Sequence, residues 1–344
     1  MTDLIVTNFN RNFTGVSATA AAVIRKQAQR YDLALVGHPL PGCPDPIPLR
    51  AARARSGPGT IWHVRRNTEM RAALWARDVL RLPIKIVFTS AAIRRHSALP
   101  RWLISRMDAV VATTDAAASC VPHVRGVAPH GVDTDLFRPA PDRTAAWAAT
   151  GYPGASGLAT IGRIRPEKGT DRFVDVCLEL LPQVPDLTAL IIGKATREHE
   201  GFAAGLHSKI AAASLTDRIL WPGEVSQNAL RTLLPALSLI VQLPRYEGYG
   251  MAPLEGMACG VPFVATDTGY YRTFSAQGRA GRITEPEEAA DAAFKVLADP
   301  NMRGAAREVA EDSFSIDREV DGIESVYRSL VPSLGHKYPG QGRH

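Results

Sequence analysis

The chain has 344 residues, 45% apolar and 22% charged, with four cysteines and a formal net charge of +6. That length accommodates two domains with separate cores, and no run of about 18 apolar residues is present to span a bilayer. Cys43, Cys120, Cys177 and Cys259 lie far apart without a Cys-x-x-Cys pair, which argues against a disulfide framework or zinc site and for a reducing compartment. The chain opens directly on a strand without a basic leader, so a cytoplasmic protein is expected.

Strand-like and helix-like patterns alternate throughout, as in an α/β chain with parallel sheets. Residues 3–8 read as a strand, 18–30 as a helix and 33–36 as the next strand. The proline-, glycine- and arginine-rich stretch 39–59 reads as a loop. Strands follow at 60–64, 85–89 and 109–113, with helical stretches between them. Residues 140–156, rich in Ala, Pro and Gly, read as a connection. A second series then begins: strand 157–162, helix 170–181, strand 188–193 and helix 199–213. It continues with a strand near Ile219, a helix from Gln227 and the apolar strand 237–243. A last helical pattern covers 316–330, and 331–344 reads as a loose tail. The expected domains are therefore 1–145 and 146–315.

Charge is unevenly spread. From Arg50 to Met107 there are 13 Lys/Arg against Glu69 and Asp78. A solvated face, a nucleic-acid surface, a patch for an anionic acceptor and an anionic membrane all compete for this excess. Aromatic residues are few there (Trp62, Trp75, Phe88, Trp102) and no nucleic-acid fold motif accompanies them, so no nucleic-acid partner is expected. Trp102 and Ile104, inside the basic run 94–106, suit a segment lying in a membrane interface.

The densest chemistry lies at Glu247-Gly-Tyr-Gly-Met-Ala-Pro-Leu-Glu255. Glu311 and Glu319 share the same spacing in an ordinary charged helical pattern, so the context carries the reading. Glu247 closes a buried strand and its loop, while Pro253 suits a helix's first turn, where Glu255 is also expected. A helix start with small flanking residues offers unpaired N–H groups to an anion such as phosphate. Gly248, Tyr249, Gly250, Met251 and Ala252 would form that cradle. The two carboxylates, acceptor-only and repelled by phosphate, would hold sugar hydroxyls. Upstream, the strand ending at Gly162 delivers Arg163 and Lys168 across a turn, two cations suited to a diphosphate. Gly15 sits between the first strand and first helix, where Ser17 either caps the helix or donates a hydroxyl bond. The fingerprint Gly-x-Gly-x-x-Gly is absent, which counts against a nicotinamide enzyme.

At these residues the chain resembles the retaining glycosyltransferases of family 4. Their two glutamates, seven residues between them, precede an Ala-Cys-Gly-x-Pro segment, matched here at Glu247, Glu255 and Met257 to Pro262. The stretches Gly162-Arg-Ile-Arg-Pro-Glu-Lys-Gly169 and Pro129-His-Gly-Val-Asp-Thr-Asp-Leu-Phe-Arg-Pro139 also resemble the family's diphosphate clamp and the segment closing its first domain. The resemblance implies a GT-B fold, two facing Rossmann-like domains with an interdomain cleft, and a terminal helix 316–330 packing back on the first domain. It implies transfer with retention from a nucleotide diphosphate sugar, with Glu247 orienting the sugar and Glu255 binding the ribose. Gly162, Arg163, Lys168 and the Gly15 loop would approach the phosphates. His63, Arg65 and Arg66 are expected to bind an anionic acceptor. The chain departs from the family in having one glycine at Gly15 instead of a pair. It also has Phe88-Thr89-Ser90 where many members carry a histidine. Asp133-Thr-Asp135 belongs to a turn, so no metal and no resident cofactor are expected. More narrowly, residues 61–70 and 245–250 are similar to lipopolysaccharide core mannosyltransferases of Gram-negative bacteria. That implies a GDP-mannose donor, an acidic glycolipid acceptor and peripheral contact with the inner membrane. A UDP-glucose or UDP-galactose transferase, a nucleotide-sugar epimerase or phosphorylase, and a non-enzymatic binding protein are the alternatives.

Overall fold

The computed structural model describes residues 2–12 and 14–334. They form two compact units: one holds the chain up to Gly131 and again from Ser315, and the other is Val132–Phe314.

The first unit is built on six parallel strands: β1 (Leu4–Asn8), β2 (Leu33–Gly37), β3 (Ile61–Val64), β4 (Lys85–Ser90), β5 (Ala109–Ala112) and β6 (Val124–Val127). Their order is β2-β1-β3-β4-β5-β6. Every residue of β1, β3 and β5 is buried, so these strands are covered on both faces and need helices on both sides, as parallel sheets do. The chain runs from β1 to β2 on one side, then crosses to β3 on the other. The carboxyl ends of β1 and β3 therefore flank the point where connections diverge, the usual ligand position in such sheets.

The helix Ile316–Leu330 belongs to this unit. Ile316, Val320, Ile323 and Tyr327 recur at helical spacing and are buried with Leu4, Val87 and Val111. Its acidic face meets Lys26 and Arg30, with Arg30 at 2.7 Å from Asp321 and 3.2 Å from Asp317. Val331 and Leu334, expected in a loose tail, are buried in the same core because the helix delivers them onto it. The rest of that stretch, 335–344, lies outside the described residues.

In the second unit the strands are β7 (Ser156–Ile161), β8 (Leu187–Ile192), β9 (Ile219–Gly223), β10 (Leu239–Gln242), β11 (Phe263–Ala265) and β12 (Gly281–Ile283). The order β12-β11-β10-β7-β8-β9 places its switch point between β7 and β10.

Two stretches differ from the sequence reading. Residues 39–59 contain a helix, Leu49–Arg55, launched after Pro48 and anchored by a fully buried Ala52. Residues 140–156 contain the helix Arg143–Ala149, capped by the Asp142 carboxylate on the Ala145 N–H at 3.0 Å. Trp147 of this helix is 1% exposed, seated where any side chain on Gly157 would strike its ring. That burial, with Val132 and Phe137 in the same core, starts the second unit at Val132 instead of near residue 146.

Candidate active site

The loops after β7 and β10, the two strands flanking the second unit's switch point, bring Lys168 and Glu247 together at 2.7 Å. Glu247 is held from three sides. Its second oxygen accepts the N–H of Gly248 at 2.8 Å, and the buried Tyr271 hydroxyl also bonds to the carboxylate. Burial, then the Glu247 charge, pushes the Tyr271 phenol well above its usual range, so it stays a donor. The Lys168 turn is locked to the β10 loop by Arg245, which grips Asp171 with two bonds of 2.9 and 2.6 Å. The Arg245 N–H also donates to the Glu167 carbonyl at 2.9 Å.

Arg163 is exposed and has no ion pair or hydrogen bond among the described residues. It follows the carboxyl end of β7, five residues before the paired Lys168. The helix Met251–Ala258 starts at Gly250 (φ 98°) without a side-chain cap, leaving its first N–H groups unclaimed by any side chain. A Cβ on Gly250 would lie 2.1 Å from the Tyr271 ring, so the residue that opens this helix must be glycine.

Glu255 lies in the second turn of that helix, not the first, because the helix begins at Met251. It is partly exposed, yet burial among protein pushes its carboxyl up to about 7, against the pull of Arg231. Tyr249 keeps only its backbone for a ligand. Its ring is buried and stacks on Tyr270 at 5.1 Å between centroids.

In the first unit, the ends of β1 and β3 are joined through a fully buried carboxylate, Glu69. It accepts from the Thr7 hydroxyl (3.0 Å), the Phe9 N–H (3.1 Å), the Arg65 N–H (2.8 Å) and Arg66 (3.1 Å). Arg66 continues to Asn8 at 3.1 Å and Ser17 at 3.0 Å. Ser17 therefore does not cap its helix; the cap position is Thr14, and Ser17 lies inside the first turn accepting from Arg66. Gly15 begins the helix with no described residue within 4 Å of an added Cβ.

His63 is corrected by the structure. Its ring is completely buried, with Nδ1 at 2.5 Å from the Tyr327 hydroxyl and Nε2 at 2.6 Å from Thr89. Both nitrogens are spent inside the unit, so it cannot reach an acceptor. Burial, then the Arg65 charge, holds it neutral well below the ordinary 6.5. Below that value the unfolded chain takes up a proton that native His63 refuses, so stability falls as pH drops and is unaffected above it. We expect urea unfolding to lose up to about 1.4 kcal/mol per pH unit between about pH 6 and 5, a slope that His63→Gln flattens.

The family model for Glycosyl transferases group 1 matches residues 155–312, the span that carries Arg163, Lys168, Glu247 and Glu255. Two full-length relatives extend the match to the rest of the chain. The lipopolysaccharide core biosynthesis mannosyltransferase LpcC of Rhizobium leguminosarum bv. viciae is 39% identical over 347 residues, covering 96% of this chain and 97% of that protein. This chain is a group 1 glycosyltransferase. A second relative, the lipopolysaccharide core biosynthesis mannosyltransferase LpsB of Rhizobium meliloti (strain 1021), is 38% identical over 354 residues, covering 96% and 98%. The structure of Anabaena Alr3699/HepE in complex with UDP and glucose aligns with a TM-score of 0.78 at 16% identity, covering 96% and 100%. At that identity it speaks for the fold alone, and the glycosyltransferase has the GT-B fold expected of it.

Sequence reasoning singled out the glutamates, the cations and the glycine-rich helix start, and the structure brings Lys168 and Glu247 together. It missed Tyr271, Arg245 with Asp171, and Glu69. For Glu69 a signal existed: one of only two acids in the basic stretch, one helical turn after Arg65-Arg66. Asp133 serves its turn, one carboxylate oxygen accepting the N–H groups of Asp135 and Leu136, each at 3.1 Å.

Proposed function

We propose that this enzyme transfers mannose from GDP-mannose, with retention, to a lipopolysaccharide core or related anionic glycolipid acceptor. The observation that carries the transfer chemistry is the Lys168–Glu247 pair at the switch point, with the exposed Arg163 on the same loop after β7. Lys168 would bridge Glu247 and the diphosphate, so that one cation fixes the sugar-orienting carboxylate relative to the leaving group. As the glycosidic bond breaks, phosphate charge grows, and Arg163, Lys168 and the N–H groups of 248–252 stabilise it more than they stabilise the bound donor. These cations supply the charge compensation of a divalent ion, so the reading includes no metal. Glu255 binds the ribose. Near-full-length likeness to two proteins named as lipopolysaccharide core mannosyltransferases supports the donor and acceptor.

For the acceptor, Arg65 is the residue with a donor to offer: its Nη1 is buried without a partner among the described residues, whereas Arg66 is engaged by Asn8, Glu69 and Ser17. An acceptor phosphate or carboxylate would satisfy it. Membrane contact, at a cytoplasmic inner-membrane face, is supported by exposed Trp75, Val79, Leu80, Leu99 and Trp102 within the basic stretch. Trp102 is 58% exposed and Val79 61%, and Arg53 lies over the Trp75 ring at 4.2 Å. No helix among the described residues is long and apolar enough to cross a membrane.

Thermal unfolding with GDP, UDP or ADP, each with EDTA, tests the donor. Selective stabilisation by GDP is expected. Selectivity for UDP would redirect the donor to glucose or galactose, and a requirement for added metal would overturn the cation-only reading.

A further inference from the structure

A cavity of about 230 Å³ opens at the amino ends of the second unit's sheet, the opposite end from Lys168 and Glu247. Ser156 and Leu187 begin β7 and β8 there, and Ser238 and Pro262 immediately precede β10 and β11. Two arginines face this space. Arg143 is the first residue of the helix Arg143–Ala149, and Arg303 is the second residue of the helix Met302–Phe314.

Each of these placements works against a cation. A helix N-terminus already carries partial positive charge and disfavours arginine in its first turn. Neither side chain has a carboxylate partner among the described residues; Arg303 reaches only the Gly260 carbonyl at 3.3 Å, and Arg143 has no hydrogen bond. Burial, then the neighbouring Arg303 charge, lowers the Arg143 guanidinium, so the two also repel. Ser238 is 6% exposed, and its hydroxyl has no partner among the described residues. Asp299, the one acid among the described residues lining the cavity, accepts the Asn301 N–H at 2.9 Å. Local rules broken together without a structural gain mark a functional place.

We propose that this cavity binds a small phosphate-class oxyanion between Arg143 and Arg303, with the Ser238 hydroxyl as a further donor. One such anion relieves the like-charge repulsion, both unfavourable helix-end placements and the unpaired hydroxyl. The volume suits phosphate or diphosphate and is below that of pockets enclosing drug-sized molecules, roughly 300 Å³ and up. The site is distinct from the donor site and does not depend on the donor's identity.

The test is calorimetric and thermal titration of the full chain with inorganic phosphate, pyrophosphate and GDP. A background carrying Arg163→Gln and Lys168→Gln removes the donor clamp. In that background phosphate or pyrophosphate is expected to bind and raise Tm, while GDP does not. Adding Arg143→Gln or Arg303→Gln is expected to weaken binding at least about tenfold. In phosphate-free buffer the same two substitutions are expected to raise Tm, because they remove repulsion; a merely structural arginine would lower it. Phosphate binding that survives loss of both arginines, or that disappears with the donor clamp alone, overturns the proposal. So does a lower Tm for both single variants without phosphate.

Discussion

Glu247→Ala is expected to lower kcat by about 100-fold or more while leaving GDP affinity unchanged or tighter. The direction of the second effect comes from the ion pair. Lys168 is 2.7 Å from Glu247, so removing the carboxylate frees a cation for the diphosphate. The first effect comes from orientation. Glu247 is fixed by Lys168, Tyr271 and the Gly248 N–H, and a sugar held by so constrained a group loses its alignment when that group is removed. The substitution also leaves the buried Tyr271 hydroxyl without its acceptor, costing about 1–3 kcal/mol, so rates belong well below the variant's Tm. Glu247→Gln keeps an oxygen for Tyr271 and separates that structural loss from the catalytic one. Steady-state kinetics beside GDP titration reads both quantities. A parallel fall in kcat and GDP affinity would assign Glu247 to the nucleotide instead of the sugar.

Gly169→Ala is expected to destabilise the second unit by about 2–5 kcal/mol, combining left-handed backbone strain with overpacking. Gly169 has φ 69°, and an added Cβ would lie 1.9 Å from the Leu243 carbonyl oxygen. Neither atom is the end of a flexible side chain, so the clash is relieved only by moving the Lys168 turn away from the end of β10. That movement would pull Lys168 from Glu247 and from the Arg245 lock. We therefore expect a Tm lower by about 5–15 °C and loss of transfer activity even in the fraction that remains folded. Gly15→Ala is the control for folding: no described residue lies within 4 Å of its added Cβ, so its Tm should stay within about 2 °C of the parent. A Gly169→Ala chain with the parent's Tm and activity would show that this turn tolerates displacement.

The parts of the site that were legible in the sequence are those whose meaning is local. An apolar run, a turn of glycines and a following helix fixed where Glu247 must sit, because strand burial and helix starts are decided within a few residues. The alternation of strands and helices likewise implied two parallel sheets. The short helices Leu49–Arg55 and Arg143–Ala149 escaped because proline- and alanine-rich composition resembles a loop until a buried Ala52 or Trp147 anchors it.

What the tertiary structure alone decided is which polar groups meet. His63 looked like a ligand among arginines, yet Tyr327, on a helix at the far end of the described chain, encloses it with Thr89. Glu69 reads as an isolated acid in a basic stretch, but strand order places it beneath the ends of both β1 and β3. Arg143 and Arg303 are unremarkable in sequence and become a charged pair only because two helix starts converge at one sheet end. Burial and periodicity are properties of single segments, so the sequence determined the sheets, the glycosyltransferase family and the positions of Glu247, Lys168 and Arg163. Electrostatic pairing depends on distance across segments, so only the folded chain decided whether each ionisable group is spent on structure or free for a ligand.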